Sequence, residues 1–518
     1  MAETKRSEVP AIQLKGITKQ FGSVIANDHV DLCVEHGQIL SLLGENGSGK
    51  TTLMNMLSGI YYPDHGSITV GGKEVNIRDP KDAFACGIGM VHQHFKLVDV
   101  FTAAENVVVG IKQKGPFDLR EVSHGIRKIC DKYGFVMDPD KKVYDMSVSE
   151  KQTLEIIKVI YRGADILILD EPTAVLTPQE TDRLFDVIRN MKKDGKTVII
   201  ITHKLHEVLS ISDRVAILRK GAYIDAVPTR DATEQSLTEM MVGEKVELNI
   251  DRPEVKDKKL RLKVENLSCY NADGVQVLDD VSFDAYGGEI LGIAGVSGNG
   301  QKELLESVAG LQNTMPGAKI CYYSPDDGKE HELIGLTPRK IRELGVHLSF
   351  VPEDRLGMGL VGSMGMSENM MLKDYSEGHS IFTDKRKPKE LAEQILKDLK
   401  VVTPGISTPV RRLSGGNVQK VLVGREIAAS PAVLMTAYAV RGLDINTSYT
   451  IYRLLNEQKA EGVAVIYVGE DLDVLMELCD RILVLCGGKV SGILDGRSAR
   501  KEEIGRLMTT YGGRKEKG

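Results

Sequence analysis

Residues Gly44-Glu45-Asn46-Gly47-Ser48-Gly49-Lys50-Thr51 carry glycines, a lysine and a hydroxyl in a spacing that can hold phosphate. Successive backbone N–H groups reach a phosphate where no Cβ intervenes, and a following helix adds its positive N-terminal end. Lys50 supplies a point charge for the terminal phosphates, and the Thr51 hydroxyl suits Mg²⁺. Further on, the apolar run Ile166-Leu-Ile-Leu169 ends in Asp170-Glu171-Pro172. Asp170 is placed to hold Mg²⁺ through water, and Glu171 to orient or deprotonate an attacking water. Alone, Asp-Glu-Pro after a strand is commonly a turn; downstream of a phosphate loop it reads as hydrolytic chemistry.

The same frame recurs with its key groups missing. Gly295-Val296-Ser297-Gly298-Asn299-Gly300-Gln301-Lys302 puts Gln301 in the lysine place and Lys302 in the place of the Mg²⁺-binding hydroxyl. Gly37-Gln-Ile-Leu-Ser-Leu-Leu-Gly44 aligns with Gly288-Glu-Ile-Leu-Gly-Ile-Ala-Gly295 at an offset of 251. Ser212-Asp-Arg-Val-Ala-Ile-Leu218 aligns with Cys479-Asp-Arg-Ile-Leu-Val-Leu485 at an offset of 267. The chain is therefore a tandem repeat, with the extra length of the second copy expected within 313–352. Sliding the second copy onto the first sets Ala437 opposite Asp170, Tyr438 opposite Glu171, and Glu470 opposite a histidine, His203.

The elements that must position these groups follow from local pattern. Ile39–Leu43, Ile166–Leu169 and Val198–Ile201 are continuous apolar runs, as buried parallel strands require. A helix is expected over Thr51–Leu57, and another over Gln179–Lys193, where Leu184, Val187, Ile188 and Met191 recur at helical spacing. Alternating strands and helices give an α/β class with a mainly parallel sheet. Ala11–Leu14, Ser67–Val70 and Lys73–Val75 read as an antiparallel annex, and Glu105–Tyr144 as a helical lobe. The expected division is a flexible start over 1–10, a catalytic domain over 11–246, a charged linker over 247–259, a degenerate domain over 260–510 and a charged tail over 511–518.

Bulk properties narrow the partners. A chain of 518 residues exceeds one ordinary core. Net charge of −6 and a pI near 6.1 give no basic field for nucleic acid. No apolar run reaches ~18 residues, and the N-terminus lacks a secretory signal, so neither a membrane span nor export is expected. Seven scattered cysteines suggest reduced thiols, with Cys33, Cys86, Cys321 and Cys479 read as core filler.

Ser147-Val-Ser149-Glu-Lys-Gln152 and Leu413-Ser414-Gly415-Gly416-Asn417-Val-Gln419 complete a wider pattern. With the paired phosphate loops they resemble the signature motifs of ATP-binding-cassette (ABC) ATPases, over about residues 11–510. The resemblance implies two P-loop NTPase domains that close head to tail on ATP, each phosphate loop meeting the other domain's signature. It implies that Gln93 is the Q-loop residue sensing Mg²⁺, His203 the switch histidine on the γ-phosphate, and Phe21 the aromatic stacking on adenine. Each has a structural alternative: a solvated turn for Gln93, a strand-end cap for His203, a core aromatic for Phe21. The competent site then combines Lys50, Thr51, Gln93, Asp170, Glu171 and His203 with Ser414, Gly415, Gly416, Asn417 and the D-loop Asp444. The other combines Gly295, Gly298, Gly300, Gln301, Lys302, Ala437, Tyr438 and Glu470 with Ser147 and Ser149, Glu353 in the Q-loop place, and Thr177 as D-loop counterpart. Ser149 stands where a glycine is expected, and Tyr438-Ala-Val where Gln-Pro-Thr is. Glu470 is expected to repel a terminal phosphate.

Among such ATPases, the lysine-less second loop, Pro352-Glu-Asp-Arg355 and Leu-Ser-Gly-Gly-Asn resemble bacterial importers of simple sugars and nucleosides. Met90–Phe95, Val100–Asn106 and Tyr161–Pro178 resemble the nucleoside branch more than the ribose or galactose branch. The resemblance implies two integral membrane permease subunits, an extracytoplasmic substrate-binding protein, and a peripheral place on the cytoplasmic membrane face. Soluble twin-cassette ATPases acting on ribosomes or DNA are the alternative; they usually carry a long charged arm and two intact sites.

Overall fold

In the computed structural model the described residues run from Val9 to Thr509, without 23, 93–94, 112–117, 175, 246–248, 255–256, 272–273, 297, 326–327, 351–355, 357–358, 373–383, 429–430 and 442, and without side-chain detail over 347–350. Gln93 and Glu353 therefore lie outside the described residues, as do 1–8, parts of the expected linker, and the tail. The chain divides into two compact units, Met1–Glu247 and Leu248–Gly518.

In the first unit a six-stranded sheet runs in the order Ala222–Pro228, Arg214–Arg219, Ile39–Leu43, Thr197–Ile201, Ile166–Asp170, Ile88–Val91. All its neighbours are parallel except the outermost pair. Its three central strands are buried along their whole length, as strands covered on both faces must be. Side chains alternate between two cores. Leu167, Leu169, Val198 and Ile200 face the helical lobe, whereas Ile166, Ile168, Ile199 and Ile201 face the annex and the phosphate-loop helix. That annex is antiparallel: Val24–Val34, Ile12–Phe21, His65–Val70 and Lys73–Val75.

The expected helices form. Lys50–Leu57 starts one residue early, and Pro178–Lys193 opens on a capping box between Thr177 and Glu180 with Pro178 at its first position. Leu184, Val187, Ile188 and Met191 are its buried stripe, joined by Phe185.

The second unit repeats both sheets in equivalent order. Its extra length, however, is only partly where the sequence comparison set it. Pro80–Ala85 corresponds to Pro338–Glu343 at an offset of 258, and Ile166–Asp170 to Val433–Ala437 at 267. Fewer than half of the added residues thus fall before the strand Val346–Phe350; the remainder fall between it and the strand Val433–Ala437. The charged segment between the repeats is no free spacer over its whole length. Ile250 packs on the second unit's core, and Arg252 donates to the carbonyls of Met476 (3.0 Å) and Cys479. Cys321 and Cys479 are buried as expected, but Cys33 and Cys86 are only half-buried, near the sheet and helix edges.

Candidate active site

The strand Ile39–Leu43 ends at Gly44, and the chain turns through the loop into the helix Lys50–Leu57. Gly49 has φ +96°, and a Cβ there would come within 2.3 Å of the Ala26 carbonyl oxygen. Only glycine fits this position. The neighbouring hairpin strand Val24–Val34 thus packs directly on the loop, and the buried Asn27 reinforces it by donating Nδ2–H to the Gly49 carbonyl at 3.2 Å. No sequence pattern singles out Asn27; its role comes from a contact 22 residues away.

Lys50 is 8% exposed and donates to the Gly44 and Glu45 carbonyls at 2.6 and 2.9 Å. Burial pulls its pKa down, opposed by the carboxylates of Glu171, Asp170 and Glu45. Asp170, at the end of the next-but-one strand, hydrogen-bonds the Thr51 side chain. Burial, then the Glu171 charge, pushes the Asp170 pKa up to about 6, against the pull of Lys50 and Thr51. Oxygen donors at a buried, charge-stressed carboxylate fit a hard divalent cation.

The strain continues one residue on. Glu171 has φ +48°, a left-handed conformation that costs a non-glycine residue about 1 kcal/mol or more. Its N–H donates to the Ile201 carbonyl at 2.8 Å, which fixes the bend at the strand end. The bend brings its Oε1 to 2.9 Å from Nδ1 of His203. Oε2 is buried and has no hydrogen-bond partner among the described residues, leaving an acceptor lone pair for a water proton. The structure thus brings Lys50, Thr51, Asp170, Glu171 and His203 together from three separate strand ends.

Phe21 is 44% exposed at the tip of the annex hairpin, so the core-aromatic alternative fails. Asn46 lies on the exposed outer turn of the loop, and Ser48 Oγ is buried beside Gly44 without a partner among the described residues.

The second unit keeps the backbone and loses the chemistry. Tyr438 also has positive φ, +56°, and donates its N–H to the Val468 carbonyl at 3.0 Å, as Glu171 does to Ile201. Ala437 is buried and without a polar side chain. Gly298 and Gly300 repeat the φ values of Gly47 and Gly49. Gln301 Nε2 donates to the Val296 carbonyl at 3.1 Å, holding the loop as Lys50 does but with no charge. A Cβ on Gly295 would fall 2.5 Å from that amide nitrogen. Lys302 turns outward, 3.7 Å from Glu306. The expected repulsion by Glu470 is weakened, since Arg441 lies 3.7 Å from it and both side chains are about half exposed.

The two signature helices differ at their first turns. Ser147 caps Val148–Tyr161, with Ser149 inside its first turn, and Glu150 returns its carboxylate to the Ser147 N–H at 2.7 Å while pairing with Lys141. A negative charge therefore already sits on that N-terminus. Ser414 caps Gly415–Ile427 with neutral Asn417, whose Nδ2 donates to Ser414 Oγ at 2.9 Å, and no acidic residue lies in that first turn. Within its own unit nothing lies within 4 Å of a Cβ built on Gly416. Asp444 caps the helix Ile445–Ala460 through Thr447, at 2.9 Å to its N–H, as Thr177 caps its own helix in the first unit.

One consequence concerns Asp170 alone. Its folded pKa lies above the ordinary carboxylate value, so its destabilising effect is absent below about pH 4 and complete above about pH 6. Asp170→Asn is expected to stabilise the nucleotide-free protein by about 1–3 kcal/mol at pH 7.5 and by little at pH 4, while lowering ATP turnover severely. Denaturant titrations at the two pH values check the difference.

A phosphate loop at a strand–helix junction, with paired carboxylates two strands away, defines a P-loop nucleoside triphosphatase; the second unit repeats the fold without the loop lysine and the carboxylates. The ABC transporter family matches residues 27–174 and 278–436, and the chain belongs to that family. It is an ABC-type ATPase. A nucleoside import ATP-binding protein (NupA) of Lactococcus lactis subsp. cremoris is 40% identical over 96% of this chain and 97% of its own. A glucose import ATP-binding protein (TsgD13) of Haloferax volcanii is 39% identical over 97% and 96%. A guanosine import ATP-binding protein (NupO) of Bacillus subtilis is 40% identical over 96% and 97%.

Proposed function

We propose that this chain is the ATP-hydrolysing subunit of an importer that takes up nucleosides through separate integral membrane permease subunits. The observation that carries the hydrolytic half is the strained Glu171 against His203 beside Asp170, Thr51 and Lys50, a set the second unit lacks. Lys50 and the loop amides bind the phosphates, Glu171 accepts the water proton, and His203 positions the γ-phosphate. Thr51, Asp170 and Gln93 are the residues proposed to hold Mg²⁺, which supplies charge neutralisation when bound. Phe21 stacks on adenine.

Ser414, Gly415, Gly416 and Asn417 are proposed to bind a nucleotide γ-phosphate at the start of the helix Gly415–Ile427. Gly416 supports this: neither φ nor crowding in its own unit demands glycine, which suits close approach by a ligand. The second unit's nucleotide position, with Gln301, Ala437 and Tyr438, is regulatory or empty.

Val98, Val100, Phe101 and Tyr144 form an exposed apolar patch on the first unit's helical lobe, tied together by the Phe101–Val98 and Tyr144–Asp99 backbone bonds (both 3.1 Å). It is suited to receive a short permease helix at the cytoplasmic membrane face. No described helix is long and apolar enough to cross a membrane. An extracytoplasmic binding protein would deliver the cargo. Nucleosides are favoured by the likeness of residues 90–95, 100–106 and 161–178 to the nucleoside branch; the glucose-importer relative keeps simple sugars as the second reading.

Purification from native membranes tests the assignment. The chain should coelute with an integral membrane protein, and ATP turnover of that complex should rise with nucleosides. Coelution with ribosomes would overturn it, and stimulation by ribose or glucose alone would move the cargo to sugars.

A further inference from the structure

Phe21 is not held by the core. It stands 44% exposed at a hairpin tip, yet its ring is fixed on two sides. The ring of Tyr61 meets it in a T-shaped pair, at 5.2 Å between centroids and 69° between planes. Lys19 lies over one ring face with Nζ 5.4 Å from the centroid. Lys19 is itself pinned by Asp64 at 2.9 Å, and Asp64 also accepts the Gln20 N–H at 2.7 Å. Tyr61 is anchored from the phosphate-loop helix, where its N–H donates to the Asn55 carbonyl at 3.1 Å. The other strand of the same hairpin packs on Gly49, so the ring and the phosphate loop share one rigid support.

An exposed aromatic on a hairpin tip ordinarily samples several rotamers, and ordering it on binding costs free energy. Here a cation lies over the ring, a second ring meets it at a steep angle, and the exposed remainder of the ring is left for a planar base. We propose that Tyr61 is a positioning residue that preorganises Phe21 for the nucleotide base, with Lys19 selecting the face on which the base stacks. The inference rests on the reading that Phe21 stacks on adenine. Tyr61 acts only through Phe21, and only on the base end of the nucleotide.

Binding of ATP and of inorganic tripolyphosphate to the full chain in a Glu171→Gln background, which prevents turnover, separates the possibilities. Tyr61→Ala should weaken ATP roughly three- to tenfold and leave tripolyphosphate unchanged, since an edge-to-face pair is worth that much in affinity. Tyr61→Phe should bind ATP normally, because the pairing is between the two rings and does not use the hydroxyl. Adding Tyr61→Ala to Phe21→Ala should cost nothing further. If Phe21→Ala weakens ATP but Tyr61→Ala does not, the positioning role is wrong and the base-stacking reading stands. If Phe21→Ala leaves ATP affinity intact, the stacking reading itself fails and takes this one with it. Equal losses of ATP and tripolyphosphate in Tyr61→Ala would mean damage to the loop helix, and would also overturn the proposal.

Discussion

Glu171→Gln is expected to lower steady-state phosphate release by about a hundred- to ten-thousandfold, the range a positioned general base contributes. Affinity for ATP should stay within a fewfold. The substitution preserves size, and the amide oxygen can still accept from Nδ1 of His203, now 2.9 Å from the carboxylate. What is lost is the basic lone pair of the buried Oε2, which has no other partner among the described residues. The left-handed backbone at residue 171 is set by the hydrogen bond to Ile201 and not by the side chain, so the bend should survive. Phosphate release and equilibrium ATP binding on the same preparation distinguish the outcomes. Turnover within tenfold of the parent would place the base elsewhere.

The second large effect is asymmetric between the two signature helices. Ser414→Arg should reduce turnover at least about a hundredfold, as removal of a preorganised oxyanion donor does. Ser147→Arg should change it less than about threefold beyond a cap loss of about 1 kcal/mol in stability. The physical difference lies in the first turns. At the Ser414 helix end Asn417 is neutral and the first turn holds no acidic residue, so the positive end of the helix dipole is not already countered by a carboxylate. At Ser147 the Glu150 carboxylate has already taken the N–H at 2.7 Å, and Lys141 balances it within the fold. Circular dichroism on both variants shows whether each is folded. Should Ser147→Arg prove the more damaging, the competent and degenerate sites have been assigned the wrong way round.

Local sequence was enough wherever a property depends on neighbours along the chain. The apolar runs at 39–43, 166–169 and 198–201 declare strands because burial on both faces demands continuous hydrophobicity. The helix Pro178–Lys193 is legible because its apolar spacing, its proline and its Thr177 cap all lie within one segment. The phosphate loop is legible for the same reason, since its geometry is made by eight consecutive residues. The tandem repeat and the missing lysine at Gln301 follow from comparing two such segments.

Other features required the three-dimensional fold, because they join residues far apart in the chain or depend on exposure. The partnership of Glu171 with His203 spans 32 residues and exists through a backbone conformation no composition reveals. The same bend persists at Tyr438, where the chemistry is gone, which shows that the bend belongs to the fold and the reactivity to the side chain. Exposure removed the core reading of Phe21, whose type suits a core as well as a base. Pairing decided Glu470, since a lone carboxylate and one beside Arg441 read identically in sequence. A chain records its own local order directly; the field at a site is summed over whatever the fold brings near, and only the folded unit contains that sum.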